Sequence, residues 1–222
     1  MTRRKLFFII FIIVTVVELA AVAGNWKFIS LFSKPLIMLS LVGHYLASMP
    51  HRSPVMIRAM FFCWAGDVLL MFADRDETFF MMGLLAFLIG HLLYIIAYRQ
   101  NQSGDPEKGL LATQKIRYSF PIILAGTGLI VILFPTLGGL RLPVLVYAVV
   151  LMVMTMTALF RYGRTNTASF WLVFGGAVLF MLSDSLLAMN KFYTPIPYAG
   201  FLIMLTYSTA QFLIVKGIIR HR

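Results

Sequence analysis

Trp64-Ala65-Gly66-Asp67-Val68-Leu69-Leu70-Met71 sets a carboxylate inside an apolar run, directly after a glycine. A related arrangement, with serine in place of the glycine, returns far downstream as Met181-Leu182-Ser183-Asp184-Ser185-Leu186-Leu187-Ala188. A carboxylate in hydrocarbon is costly unless it is solvated or paired, so an acid inside a membrane span usually serves a function. What Asp67 and Asp184 mean therefore depends on whether these runs cross a bilayer.

The composition decides for the bilayer. The chain of 222 residues is 60% hydrophobic and only 12% charged, with a mean hydropathy of +0.89. Soluble domains are about 45–50% apolar and about 25% charged, and too little polar surface remains here to cover a soluble core. Several apolar runs reach the ~20 residues needed to cross ~30 Å of hydrocarbon. The expected fold is all-α, a polytopic membrane protein whose residues 1–222 make one integral membrane domain.

Eight helical crossings are expected, over residues 7–24, 28–46, 55–73, 78–98, 118–134, 142–160, 168–190 and 198–218. The segment 99–117 is the most hydrophilic of the chain and reads as a linker between half-repeats at about 1–100 and 118–222. With eight crossings both termini lie on one side, and fourteen of the nineteen Lys and Arg residues fall on that side. Four fall on the other and Lys34 lies within a run. This asymmetry makes both termini cytoplasmic. The first run follows Arg3-Arg4-Lys5 and ends at Ala21-Val22-Ala23, which resembles a signal-peptide cleavage site. It is long for an h-region of about 7–15 residues and contains Glu18, so a retained helix is expected. A bacterial inner membrane is the expected location.

The formal charge of +11 is no nucleic-acid signal, because the basic residues sit between hydrophobic runs where membrane topology puts them. The single Cys63 excludes an internal disulfide and a cysteine metal cluster, and reads as packing. His44, His51 and His221 read as interfacial.

An internal repeat is expected from Asp67 and Gly83 recurring as Asp184 and Gly200 at an offset of 117 residues. Parallel repeats of this kind occur in transporters, and here would bring Asp67 and Asp184 to one cavity. Counting ~1.5 Å per residue, Lys34, Asp67, Asp184 and Tyr147 lie roughly 9 Å below the face opposite the termini, with His91 and Gln211 roughly 20 Å below it. Phe87, His91, Tyr94 and Tyr98 share one helical face, and Tyr207 and Gln211 are an i, i+4 pair. Each supporting residue also has a plain reading. Lys34 can snorkel to the interface, His91 can be a core histidine, and Tyr147 and Tyr207 can be packing aromatics. Gly66 and Gly90 can serve close helix approach. A structural pairing with Lys34 would account for one aspartate but not for both.

With these pieces assembled, the sequence resembles the YhhN-like lysoplasmalogenase family of integral membrane proteins. The resemblance rests on Lys34-Pro35-Leu36, Gly66-Asp67-x-Leu69-Leu70, Phe87-x-x-Gly90-His91-x-x-Tyr94, Ser183-Asp184-Ser185-Leu186-Leu187-Ala188 and Thr206-Tyr207-x-x-Ala210-Gln211. It implies a hydrolase of the lysoplasmalogen vinyl ether bond, acting on a lysophospholipid drawn from membrane lipids. The products would be a fatty aldehyde and glycerophospho-ethanolamine or -choline.

The residues suit that chemistry. An enol ether hydrolyses when a proton reaches its β-carbon, water adds to the oxocarbenium ion, and the hemiacetal collapses. A protonated acid and a second group that activates water or stabilises positive charge are needed. Two carboxylates in one low-dielectric site differ in proton affinity, which suits this division. Asp67 and Asp184 are the expected catalytic pair. Lys34, His91, Tyr94, Tyr147, Ser183, Tyr207 and Gln211 are expected to bind substrate or support the pair. No metal or other cofactor is expected, since the depth count separates His91 from the acids by about 10 Å. The alternative is a proton-coupled transporter of a small or lipid-like substrate, which paired intramembrane acids and parallel repeats also describe.

Overall fold

The computed structural model describes residues 2–50, 52–102 and 108–221. These form eight α-helices: α1 (Arg3–Ala23), α2 (Lys27–Ser48), α3 (Pro54–Leu70), α4 (Glu77–Gln100), α5 (Ala112–Leu133), α6 (Arg141–Leu159), α7 (Thr167–Phe192) and α8 (Ala199–Ile219). There is no strand among the described residues. Seven helices are long and apolar enough to cross a membrane. The exception, α3, has 17 residues and rises only about 25 Å. Large apolar side chains such as Ile13, Val16, Phe120, Val131 and Trp171 stand exposed on the helices, as expected where the solvent is lipid. The protein is a multi-pass integral membrane protein.

The chain forms two compact units, Met1–Ala97 and Tyr98–Arg222. In the first, α1 and α2 make an antiparallel hairpin through Gly24-Asn25-Trp26. Asn25 takes the left-handed conformation at φ 55°, which Asn tolerates better than most residues. The Trp26 amide returns to the Ala21 carbonyl at 2.8 Å and closes the turn. Ser53 caps α3, its hydroxyl accepting from the Met56 amide, with Pro54 in the first turn where its missing N–H is harmless. The expected third helix ran to residue 73, but α3 stops at Leu70. The amides of Met71, Phe72 and Ala73 bond three residues back, to Val68, Leu69 and Leu70. This tightened turn spends the last orphan carbonyls before the polar Asp74-Arg75-Asp76.

In the second unit, the expected 99–117 linker is narrower than its hydrophilicity suggested. α4 continues to Gln100 and α5 begins at Ala112. The Gln114 side chain accepts from the Leu111 amide at 2.9 Å and stabilises that start. Hydropathy reports immersion in lipid rather than helicity, so a polar first turn of α5 passed for loop. Asn166 caps α7 by accepting from the Ser169 amide at 2.8 Å, and its Nδ2 donates to the Arg220 carbonyl at 2.6 Å. Ser169 Oγ then donates to the Gly217 carbonyl at 2.7 Å. These bonds fasten α7 to α8.

Candidate functional site

In the first unit, Asp67 lies in the last turn of α3 and is 3% exposed. The depth count placed it about 9 Å below the helix end. Because α3 terminates at Leu70, three residues on, the rise is about 4.5 Å. The preceding residue is glycine for a steric reason: a Cβ on Gly66 would stand 2.5 Å from the Phe87 ring. α3 and α4 therefore close on each other directly beside Asp67. On α4, Phe87 stacks on His91 at a centroid separation of 6.3 Å, and His91 and Tyr94 are fully buried. The i, i+4, i+7 face read from sequence is thus an internal face of this unit. Tyr98, placed on the same face, belongs to the second unit. Lys34, on α2, is half-buried.

Glu18 lies in the first apolar run. The structure buries it at 1% exposure, where it accepts from Ser30 Oγ at 2.8 Å and Ser33 Oγ at 2.6 Å. Ser33 directly precedes Lys34. This α1–α2 clasp was missed because neither serine was weighed. The signal available was two serines at i, i+3 in an apolar run, a spacing that puts both on one side of a helix. His44, read as interfacial, is 6% exposed. It packs on Phe8 and its Nδ1 lies 3.2 Å from the Arg4 carbonyl, because α1 covers this end of α2. His51 lies outside the described residues.

In the second unit, Asp184 of α7 receives a short hydrogen bond from the Tyr147 hydroxyl of α6. Tyr147 is buried and Asp184 half-buried. Asp184 stands eight residues from the end of α7 and Tyr147 six from the start of α6, about 12 Å and about 9 Å by helical rise. The plain reading of Tyr147 as a packing aromatic misses that its hydroxyl is committed to the acid. Ser183 donates to the Ile203 carbonyl at 3.1 Å, so it pins α8 against α7 one residue before Asp184. On α8, Tyr207 packs edge-on against Phe180, and Gln211 Nε2 donates to the Tyr207 hydroxyl at 3.4 Å. Both residues are buried. A phenol–carboxylate pair in an apolar setting can orient an acidic side chain and move a proton. No group of three or more His, Cys, Asp and Glu placed to hold a metal occurs among the described residues.

Arg161, just beyond the end of α6, is a second feature that the residue types alone did not single out. It is fully buried. Its Nη2 donates to the Asn101 carbonyl at 3.1 Å and to Ser169 Oγ at 3.0 Å. Burial pushes the guanidinium down to about 10, opposed by the adjacent Tyr98 phenol, and it stays charged at neutral pH. The turn depends on Gly163, at φ +71°, where a Cβ would meet the Lys108 carbonyl oxygen at 1.9 Å. A glycine between two arginines was the available hint.

Comparison with known proteins places the chain. It is 31% identical over 193 residues to the Bos taurus protein "Lysoplasmalogenase TMEM86A", covering 84% of this chain and 75% of that one. It is 36% identical over 142 residues to Homo sapiens "Lysoplasmalogenase TMEM86B", covering 64% of this chain and 54% of that one. A Mycobacterium tuberculosis "Lysoplasmalogenase" is 33% identical over 141 residues, covering 62% and 50%. No solved structure matches the chain. The model of the YhhN family matches residues 29–218, a span that contains Asp67, Asp184 and every supporting residue named above, and the chain belongs to that family.

Proposed function

We propose that this chain is a membrane-embedded ether hydrolase that cleaves the vinyl ether bond of lysoplasmalogens. The observation that carries the reading is the family match over residues 29–218. Three of the relatives that resemble this chain are named lysoplasmalogenase in mammals and mycobacteria. The products are a fatty aldehyde and glycerophospho-ethanolamine or -choline.

Asp67 and Asp184 are the proposed catalytic carboxylates. One delivers a proton to the β-carbon of the enol ether, giving an oxocarbenium ion. The other stabilises that cation and accepts a proton from the water that attacks it. The resulting hemiacetal breaks its bond to the glycerol oxygen, which takes a proton as the aldehyde leaves. The proton consumed at the start is returned, so the net change is addition of one water. Tyr147 orients Asp184 through its hydroxyl. Ser183 fixes the register of α7 against α8. Gln211 and Tyr207 form a hydrogen-bonded polar pair suited to a water or the leaving oxygen. His91 and Tyr94 support the Asp67 side, and Lys34 offers a cation for the substrate phosphate.

Purified protein in detergent, given a lysoplasmalogen, should release aldehyde. A transporter would turn over nothing under those conditions. Asp67→Asn and Asp184→Asn should each lower release by about 10²-fold or more, the scale of lost acid–base catalysis, with unchanged melting temperature. Wild-type turnover in either variant removes that acid from the mechanism.

A further inference from the structure

The second unit contains a pocket of about 410 Å³ that the proposed reaction does not use. Its polar wall is cationic: Arg99, Lys115 and Arg164, with Gln102 beside them. Its floor is apolar, made of Val153, Met156 and Phe160. Among the described residues that line it there is no carboxylate. Along α6 this floor begins six residues beyond Tyr147, roughly 9 Å, and extends to roughly 20 Å from it. The pocket is therefore separate from the Tyr147–Asp184 pair.

A cluster of basic residues at a membrane boundary is ordinary topology. Three observations go beyond it. Arg164 Nε is buried without a hydrogen-bond partner, and a buried donor left unpaired is costly. Arg161, fully buried three residues away, also leaves Nε and Nη1 without a partner. The cations are also held in place. The Arg164 amide donates to the Arg161 carbonyl at 3.0 Å, and Arg161 anchors to Asn101, next to Gln102. Lys115 Nζ sits 5.7 Å from the centre of the Phe160 ring. Like charges held together in a recess repel one another unless an anion joins them.

We propose that this pocket binds a phosphate anion, with the arginines and Lys115 holding the phosphate oxygens and the apolar floor receiving the chain attached to it. The phosphate is presented by an anionic membrane phospholipid or taken up free from solution. The site binds whether or not the chain is the hydrolase argued above.

Native mass spectrometry of the full chain in detergent tests the proposal, with phosphatidylglycerol and phosphatidylcholine of matched acyl chains as probes. One phosphatidylglycerol should bind about tenfold or more tighter than phosphatidylcholine, a difference of about 1.4 kcal/mol. Arg164→Gln and, separately, Lys115→Gln should remove most of that preference. Arg3→Gln/Arg4→Gln, basic residues of the first unit, should leave it intact, and so should Asp184→Asn. Weaker binding on shortening the acyl chains identifies a lipid as the source. Displacement by inorganic phosphate at matched ionic strength, with no dependence on chain length, identifies soluble phosphate. Equal uptake of the two lipids, with no binding of inorganic phosphate, overturns the proposal. So does unchanged preference in both pocket variants, or equal loss in the Arg3/Arg4 variant, which would mean diffuse surface charge.

Discussion

Tyr147→Phe isolates one hydrogen bond in the proposed site. The substitution removes the hydroxyl that donates to Asp184 and keeps the buried ring, so α6 and α7 stay packed. A hydrogen bond of this kind is worth about 1 kcal/mol between neutral partners and about 1.5–3 kcal/mol when one is charged. If the bond orients Asp184 for the reaction, that energy appears in the barrier. At ~1.4 kcal/mol per tenfold, turnover falls roughly fivefold to 150-fold. The assay is initial-rate aldehyde release in detergent, with thermal unfolding followed in parallel. kcat should fall while KM stays near wild type, since the hydroxyl acts on the acid rather than on the substrate. The double variant Tyr147→Phe/Asp184→Asn should be no slower than Asp184→Asn alone, because the hydroxyl then has no catalytic carboxylate to orient. Wild-type kcat in Tyr147→Phe, or strictly additive losses in the double variant, refutes the role given to the pair.

Three further outcomes concern stability. Glu18→Ala removes the acceptor of the Ser30 hydroxyl and leaves Ser33 only the Ile29 carbonyl at 2.9 Å. It should cost about 1–3 kcal/mol, seen as a lower melting temperature with unchanged turnover per folded molecule. Gly163→Ala forces a left-handed alanine, about 1–2 kcal/mol by itself, and drives its Cβ into the Lys108 carbonyl. It should lower the melting temperature well beyond a Gly175→Ala control, since a Cβ at Gly175 meets nothing within 4 Å. His221, whose Nδ1 lies 2.7 Å from Thr165 Oγ1, is held below its ordinary value of 6.5 by burial and by the charge of Arg161. The unfolded chain then takes up this proton before the folded one does, so stability falls as pH drops below about 6.5. His221→Asn should flatten that part of the melting-temperature profile, and an unaltered profile would count against it.

Much of the fold is legible in the sequence because lipid imposes a simple demand. Every span must satisfy its own backbone and show apolar side chains outward, so each run of hydropathy announces a helix. The boundaries at Ala23, Ser48 and Ile219 fall within two residues of expectation for this reason. The misses occur where water rather than lipid sets the rule. The start of α5 is helical yet polar, and the end of α3 is apolar yet tightened into a turn. The site residues are visible as types, because acids, a histidine and paired tyrosines are conspicuous among leucines. Their bonds are less visible. That Tyr147 belongs to Asp184 depends on the rotation of α6 about its axis, and no spacing within α6 reveals it. The Glu18 clasp was hidden because serines are common enough in membrane helices to escape notice.

The brevity of α3 bears on how a lipid would meet Asp67. A 17-residue helix is shorter than the hydrocarbon thickness it has to match. The bilayer must thin around it, or the polar turn 71–76 must dip inward. An inward dip would carry the carboxylate deeper, whereas thinning sets it, about 4.5 Å below the helix end, near the level where glycerol backbones pack. In a lysoplasmalogen the vinyl ether joins the first carbons of the chain to glycerol, so the scissile bond floats at that same level. The substrate would then arrive by lateral diffusion alone, and would not have to be drawn out of its leaflet to be cut.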